Sequence, residues 1–251
     1  MCAAQGAAVA APGPDRFPWL ARLTSRWWSA IPLVAIVGTV VGVGAQSATA
    51  DALTWLALVT TPPLAAVGLG YASGRGAKPA RALAAIPLFA LAWLARDSLL
   101  GEASALVLVA AACVTLATML AAVVPDLWLK AGLLVFAATD TYLVADQLLQ
   151  QPNAVLNAAA PGGGLPQFQR VSFGSAEMGY GDLFAAALLG ALLARHRRTQ
   201  LQGAALTTVL AMLFGLLFFA VDTLPATVPV AAALVVLELT RRDRQRGGTY
   251  R

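Results

Sequence analysis

Apolar runs of roughly 16–22 residues, parted by short polar stretches, recur along nearly the whole chain. A helix rising 1.5 Å per residue needs about 20 apolar residues to cross the hydrocarbon of a bilayer. The pattern therefore predicts a bundle of about eight membrane helices. The first is expected from about Trp28 to Ala45, behind a lead carrying Arg22, Arg26, Trp27 and Trp28 that suits the membrane interface. The second is expected from about Ala52 to Tyr71 with Pro62 and Pro63 inside it, the third from Ala82 to Ala95, and the fourth from Ala103 to Val124. The fifth runs from about Leu127 to Leu149. A polar stretch of nearly 30 residues follows. The sixth ends near Ala194, the seventh spans about Gly203 to Val221, and the eighth Pro225 to Thr240.

Composition agrees. Of 251 residues, 59% are hydrophobic and 12% charged, about half the charged fraction of a soluble domain. No polar stretch is long enough for a second domain. The expected organisation is a single membrane domain over residues 1–251: an interfacial segment at 1–27, N-terminal helices at 28–126, further helices at 127–240 with an outer loop at 150–178, and a basic tail at 241–251.

The net charge of +5 does not point to nucleic acid, because the basic residues sit at helix ends, where they set topology. With eight spans, 15 of the 17 Lys and Arg residues fall on one side and only Arg96 and Arg170 on the other. Both termini are then expected in the cytoplasm, in a multi-pass protein that suits a prokaryotic plasma membrane. Cys2 and Cys113 make no disulfide framework. No Cys/His cluster has metal-ligand spacing, so no metal or other cofactor is expected.

Against this background the acidic residues stand out. A carboxylate in hydrocarbon is expensive and marks a functional site by default. Asp140 lies about 13 residues into the fifth run, too deep to reach water easily. The competing reading is a buried structural Asp hydrogen-bonded to Thr or Tyr on a neighbouring helix. Asp182 follows Gly179, Tyr180 and Gly181 at the mouth of the sixth run. Alone, it reads equally well as a first-turn carboxylate at a helix N-terminus. Leu224, Pro225 and Ala226 open the last run, either as an ordinary proline start or as an unwound entrance to a site. Tyr142, two residues past Asp140, is grouped with these as a substrate-positioning residue. Asp146 is six residues past Asp140 and expected on another face, in solvent. Glu238 has helix spacing to Arg241 and Arg242.

Thr139-Asp140 with Val144, then Gly179-Tyr180-Gly181-Asp182, then Pro225-Ala226-Thr227 resemble, in that order, the three motifs of the presenilin and signal-peptide-peptidase family of intramembrane aspartyl proteases. The second motif matches fully. The first lacks the family's Tyr before the Asp, and the third has Thr227 where the family has Leu. The resemblance covers roughly Leu127 to Leu239. It implies a presenilin-like helical fold, catalysis by Asp140 and Asp182 without a metal, and transmembrane or signal-peptide-like helices as substrates within the bilayer. The Lys and Arg distribution matches the signal-peptide-peptidase orientation. Partner subunits are left open.

Two alternatives remain. The prepilin peptidases also carry Gly-x-Gly-Asp in an eight-span bundle, but typically with Lys after the Asp, where Leu183 stands here, and with a cysteine-bearing insert that is absent. A proton-coupled transporter also uses paired membrane aspartates, although the N-terminal half here lacks an intramembrane charge. For hydrolysis, a substrate helix must first be unwound. The segment Gln167–Ser175 alternates polar and apolar residues as a strand does, so it is expected either to pair with an extended substrate or to be an exposed loop. Gly162 to Gly164 would give it freedom to move.

Overall fold

A computed structural model describes Phe17, Leu20 and residues 46–72, 78–146, 148, 150–174, 176–219 and 224–247. The expected first span lies outside these residues. Each of the other seven coincides with a helix. Helix α1 is Gln46–Val67 and passes into a π-helical turn at Gly68–Ala72. A 3-10 segment at Pro79–Ala84 leads into α2, Ala85–Leu94. Helices α3, Leu99–Val123, and α4, Asp126–Ala145, follow. Ser98 caps α3 by accepting from Gly101 N at 3.2 Å, and Pro125 separates the two helices.

The expected outer loop is more ordered than a loop. It contains α5, Gln150–Ala158, and a hairpin of β1, Arg170–Phe173, with β2, Ala176–Gly179. β2 runs directly into α6, Tyr180–Leu193. Helices α7, Arg197–Gly215, and α8, Val228–Gly247, complete the described chain. The architecture is thus helical with one two-stranded antiparallel sheet, in which Arg170 pairs with Gly179 and Phe173 with Ala176. Gly174 turns the corner at φ 61°, a left-handed conformation suited to glycine.

Among the described residues, three helices are long and apolar enough to cross a membrane: Ala48–Tyr71, Leu99–Val123 and Asp126–Ala145. Pro79–Leu94, Tyr180–Leu193 and Val228–Thr240 are apolar but shorter. Large apolar side chains stand exposed along the bundle, among them Val59, Ile86, Leu94 and Leu100. Such extensive apolar exposure suits lipid and would be a liability in water.

Two cores organise the bundle. In the first, α3 packs against α1, α2 and α6. Its seam is built largely from small residues, Ala112, Cys113 and Ala117 facing Ala187 and Ala191, which let helices approach closely where hydrophobic driving force is weak. The prolines inside α1 are followed by the α-to-π change. There the buried Thr115 hydroxyl shares its hydrogen between the Leu64 and Ala111 carbonyls, 2.9 Å from each. The second core joins α4, α6 and α8. Leu133 meets Ala185, Ala186, Leu189 and Leu193, together with Val230, Ala233, Leu234 and Leu237.

Candidate active site

The second core unites the three helices that carry the three sequence motifs. Helix α4 enters the site with its C-terminal half, whereas α6 and α8 enter with their N-terminal ends. Asp140 is 14 residues from the start of α4 at Asp126, and Asp182 is 11 residues from the end of α6 at Leu193. At 1.5 Å per residue those distances are about 21 and 17 Å. Near those two helix ends, Arg195 pairs with Asp126 at 3.7 Å. The two acidic residues therefore stand at similar heights above a shared base.

Helices α4 and α8 are tied at two points. Lys130 Nζ donates to Glu238 Oε1 at 2.6 Å, and Thr227 Oγ1 donates to Asp140 Oδ2 at 2.6 Å. Ten residues separate the ties on α4 and eleven on the other strand of the pair, as expected for antiparallel helices in register. The side chains of Arg241 and Arg242, the helix-spaced neighbours of Glu238 in the sequence, lie outside the described residues; the bond to Lys130 on another helix was not legible in the sequence.

Helix α6 meets α4 through glycine. A Cβ placed on Gly181 would stand 3.3 Å from Phe136 Cζ. Phe136 is one helical turn before Asp140, on the same face. Gly181 thus lets the start of α6 lie against the turn leading to Asp140. On the other side, Cys113 Sγ of α3 donates to the Tyr180 carbonyl at 3.7 Å, and Tyr180 N donates to Gln169 O at 3.0 Å. The first turn of α6 is held by α3, α4 and the strand region together.

Asp182 accepts from Gly179 N at 3.3 Å through Oδ2, the back-bond of a first-turn carboxylate. The capping reading of Asp182 is therefore realised, and it uses one oxygen. Asp182 follows the Gly181 that lies against Phe136, and Asp140 comes one turn after Phe136, so the two aspartates flank one contact between α6 and α4. Among the described residues, neither Asp140 Oδ1 nor Asp182 Oδ1 takes a hydrogen bond. Both carboxyls are half-buried. The arrangement offers two carboxyls beside one helix contact, each anchored through Oδ2.

The third motif lies beside the first. Pro225 and Thr227 are buried, Leu224 is half-buried and Ala226 is exposed. Val228 N donates back to Pro225 O at 3.4 Å, so the motif forms the turn that enters α8. The Thr227 bond is what the structural reading of Asp140 expected, a Thr partner from a neighbouring segment, although the sequence did not single out Thr227. The only signal was its departure from leucine. No hydrogen bond joins Tyr142 to either carboxyl among the described residues: it is 60% exposed, with Asp146 one turn further on. Asp146 is exposed, as expected.

The hairpin is anchored above the first core. Phe168 is fully buried against Phe89, ring centres 6.0 Å apart, and Gly174 N donates to Glu102 Oε2 at 2.8 Å. Gly163 and Gly164 adopt φ of 70° and 66°. A cavity of about 260 Å³ lies under this region, lined by Arg96, Glu102, Gly164, Gln167 and Arg170 among others. Neither Asp140 nor Asp182 lines it. Among the described residues, no group of His, Cys, Asp and Glu is arranged to hold a metal ion.

No protein-family profile, curated protein or solved structure matches the chain.

Proposed function

We propose that this chain is an intramembrane aspartyl protease that hydrolyses peptide bonds in membrane-embedded helices, with Asp140 and Asp182 as its catalytic dyad. The observation that carries the reading is the convergence of three motifs from three helices. Gly181, next to Asp182, lies against Phe136, one turn before Asp140, and Thr227 bonds Asp140. Two carboxyls that interact strongly share one proton, since both do not stay charged together in a poorly solvated site. The unprotonated partner takes a proton from water as the water oxygen bonds the scissile carbonyl carbon. The protonated partner bonds the carbonyl oxygen. When the tetrahedral centre collapses, the C–N bond breaks and the amine leaves with a proton from the dyad. One water is consumed, and the dyad returns to a single shared proton.

A substrate helix hides its peptide bonds within its own ladder, so an extended segment must be stabilised. The β2 strand ends at Gly179, whose N–H reaches the Asp182 carboxylate. A substrate strand laid along this edge would lead into the dyad, by the same main-chain pairing that other proteins use to capture extended peptides. In this reading the bundle has eight spans, both termini are cytoplasmic and the hairpin faces outward in a plasma membrane, as the Lys and Arg distribution implies. The partners are then a transmembrane peptide substrate and the lipid bilayer.

The test is cleavage of a tagged transmembrane reporter helix by the purified, reconstituted chain, with and without a peptide carrying a hydroxyl-bearing mimic of the tetrahedral centre. Cleavage within the apolar stretch, blocked by the mimic, is expected. Cleavage indifferent to the mimic, or none for any membrane helix, rejects the reading.

A further inference from the structure

Thr227 is 1% exposed, and its hydroxyl ends on a carboxylate of another helix. Its partner is 87 residues away in sequence. The separation of 2.6 Å lies in the range of hydroxyl bonds to a charged carboxylate, about 2.5–2.7 Å. The bond to Asp182 is different in kind. It comes from a backbone N–H at 3.3 Å and belongs to the helix cap.

We propose that Thr227 is a positioning residue of the dyad, whose hydroxyl fixes the Asp140 carboxylate through Oδ2 and makes Asp140 the proton-accepting member. This inference rests on the protease reading. The hydroxyl acts in two ways. It fixes the rotation of the carboxyl, so that Oδ1 is presented in one direction. It also supplies a hydrogen to Asp140, so the proton shared by the dyad resides on Asp182. Asp140 Oδ1 then receives the proton of the attacking water, and Asp182 bonds the scissile carbonyl and protonates the leaving amine. Thr227 touches neither water nor substrate in this scheme.

The placement explains why a buried Thr serves here. Valine has the same shape but no donor, and leucine has neither the shape nor the donor. Thr227 precedes α8 directly, and the Lys130–Glu238 bond holds that helix against α4 at the far end. The donor is therefore carried by a fixed element.

The experiment compares Thr227→Ser, Thr227→Val and Thr227→Leu in the full reconstituted chain. Thr227→Val and Thr227→Leu should lower kcat about tenfold to a hundredfold, the range spanned by a hydrogen bond to a charged group, with KM within about twofold because substrate binding is untouched. Thr227→Ser should retain most of kcat. Infrared spectra of the chain labelled with carboxyl-13C aspartate add a readout that needs no turnover. The Asp140 band, identified by its loss in Asp140→Asn, should move in Thr227→Val and stay in Thr227→Ser. An unmoved band in Thr227→Val, or equal kcat loss in the Ser and Val variants, overturns the proposal. If the wild-type chain cleaves no reporter, the protease reading falls, and the band alone still decides whether Thr227 orients Asp140.

Discussion

Gly181 and Phe136 are in close contact: a Cβ on Gly181 would lie 3.3 Å from Phe136 Cζ, so that one of the two must give by a few tenths of an ångström. One residue after Gly181 comes Asp182, and one turn after Phe136 comes Asp140. The glycine therefore lets the start of α6 pack against the turn before Asp140, and it acts through helix packing and not through a positive φ.

Gly181→Ala should push the start of α6 away from α4 by a few tenths of an ångström or more. Misplaced catalytic groups lose rate steeply, about a hundredfold for an error near 1 Å, so a drop in kcat on the order of tenfold is expected. Phe136→Leu in the same chain should recover much of it, because the smaller side chain makes room. Reporter cleavage by the single and double variants measures this. A double variant no better than Gly181→Ala would show that the contact is not what limits activity.

Gly68 occupies the α-to-π change in the first core. A Cβ there would meet Thr115 Oγ1 at 2.7 Å and press on the Ala111 backbone. Alanine is the better helix former by about 1 kcal/mol, whereas overpacking costs about 1–3 kcal/mol. Gly68→Ala is therefore expected to destabilise the chain, read as a lower midpoint in denaturant unfolding from micelles. A higher midpoint would mean that α1 and α3 separate easily.

The Lys130–Glu238 pair is 2.6 Å long with both side chains about 30% exposed, 28% and 30% respectively. Exposed pairs contribute about 0.2–1 kcal/mol and more shielded ones exceed that when one partner is lost. Lys130→Met should cost about 1 kcal/mol in the same unfolding measurement. The exchanged pair, Lys130→Glu with Glu238→Lys, should recover most of the loss. No recovery would assign the cost to packing of the Lys130 stem.

Much of the fold was legible because helix-length apolar runs carry their own signal. Helices α1 to α4 and α6 to α8 fall where hydropathy put them. Interactions between distant segments were not legible. The strand β2 reads Ala176-Glu177-Met178-Gly179, with no β-branched residue, and it exists through pairing with β1 across the Gly174 turn. Helix α5 contains Pro152 and little apolar pattern. At the site, the glycines and aspartates announced themselves by residue type. Thr227 did not, since a threonine before an apolar helix is ordinary and its bond crosses 87 residues. Tyr142 stands apart from Asp140 for a simple reason. Two residues along a helix turn the side chain by about 200°, away from the face of Asp140.

The central claim is that Asp140 and Asp182 act as one catalytic unit, and replacing each by the uncharged, isosteric amide tests it most directly. Asp140→Asn and Asp182→Asn should each lower reporter cleavage by about a hundredfold to ten-thousandfold, the worth of a general acid or base, while the unfolding midpoint stays near that of the unaltered chain. Cleavage at the original rate in either folded variant would contradict the account.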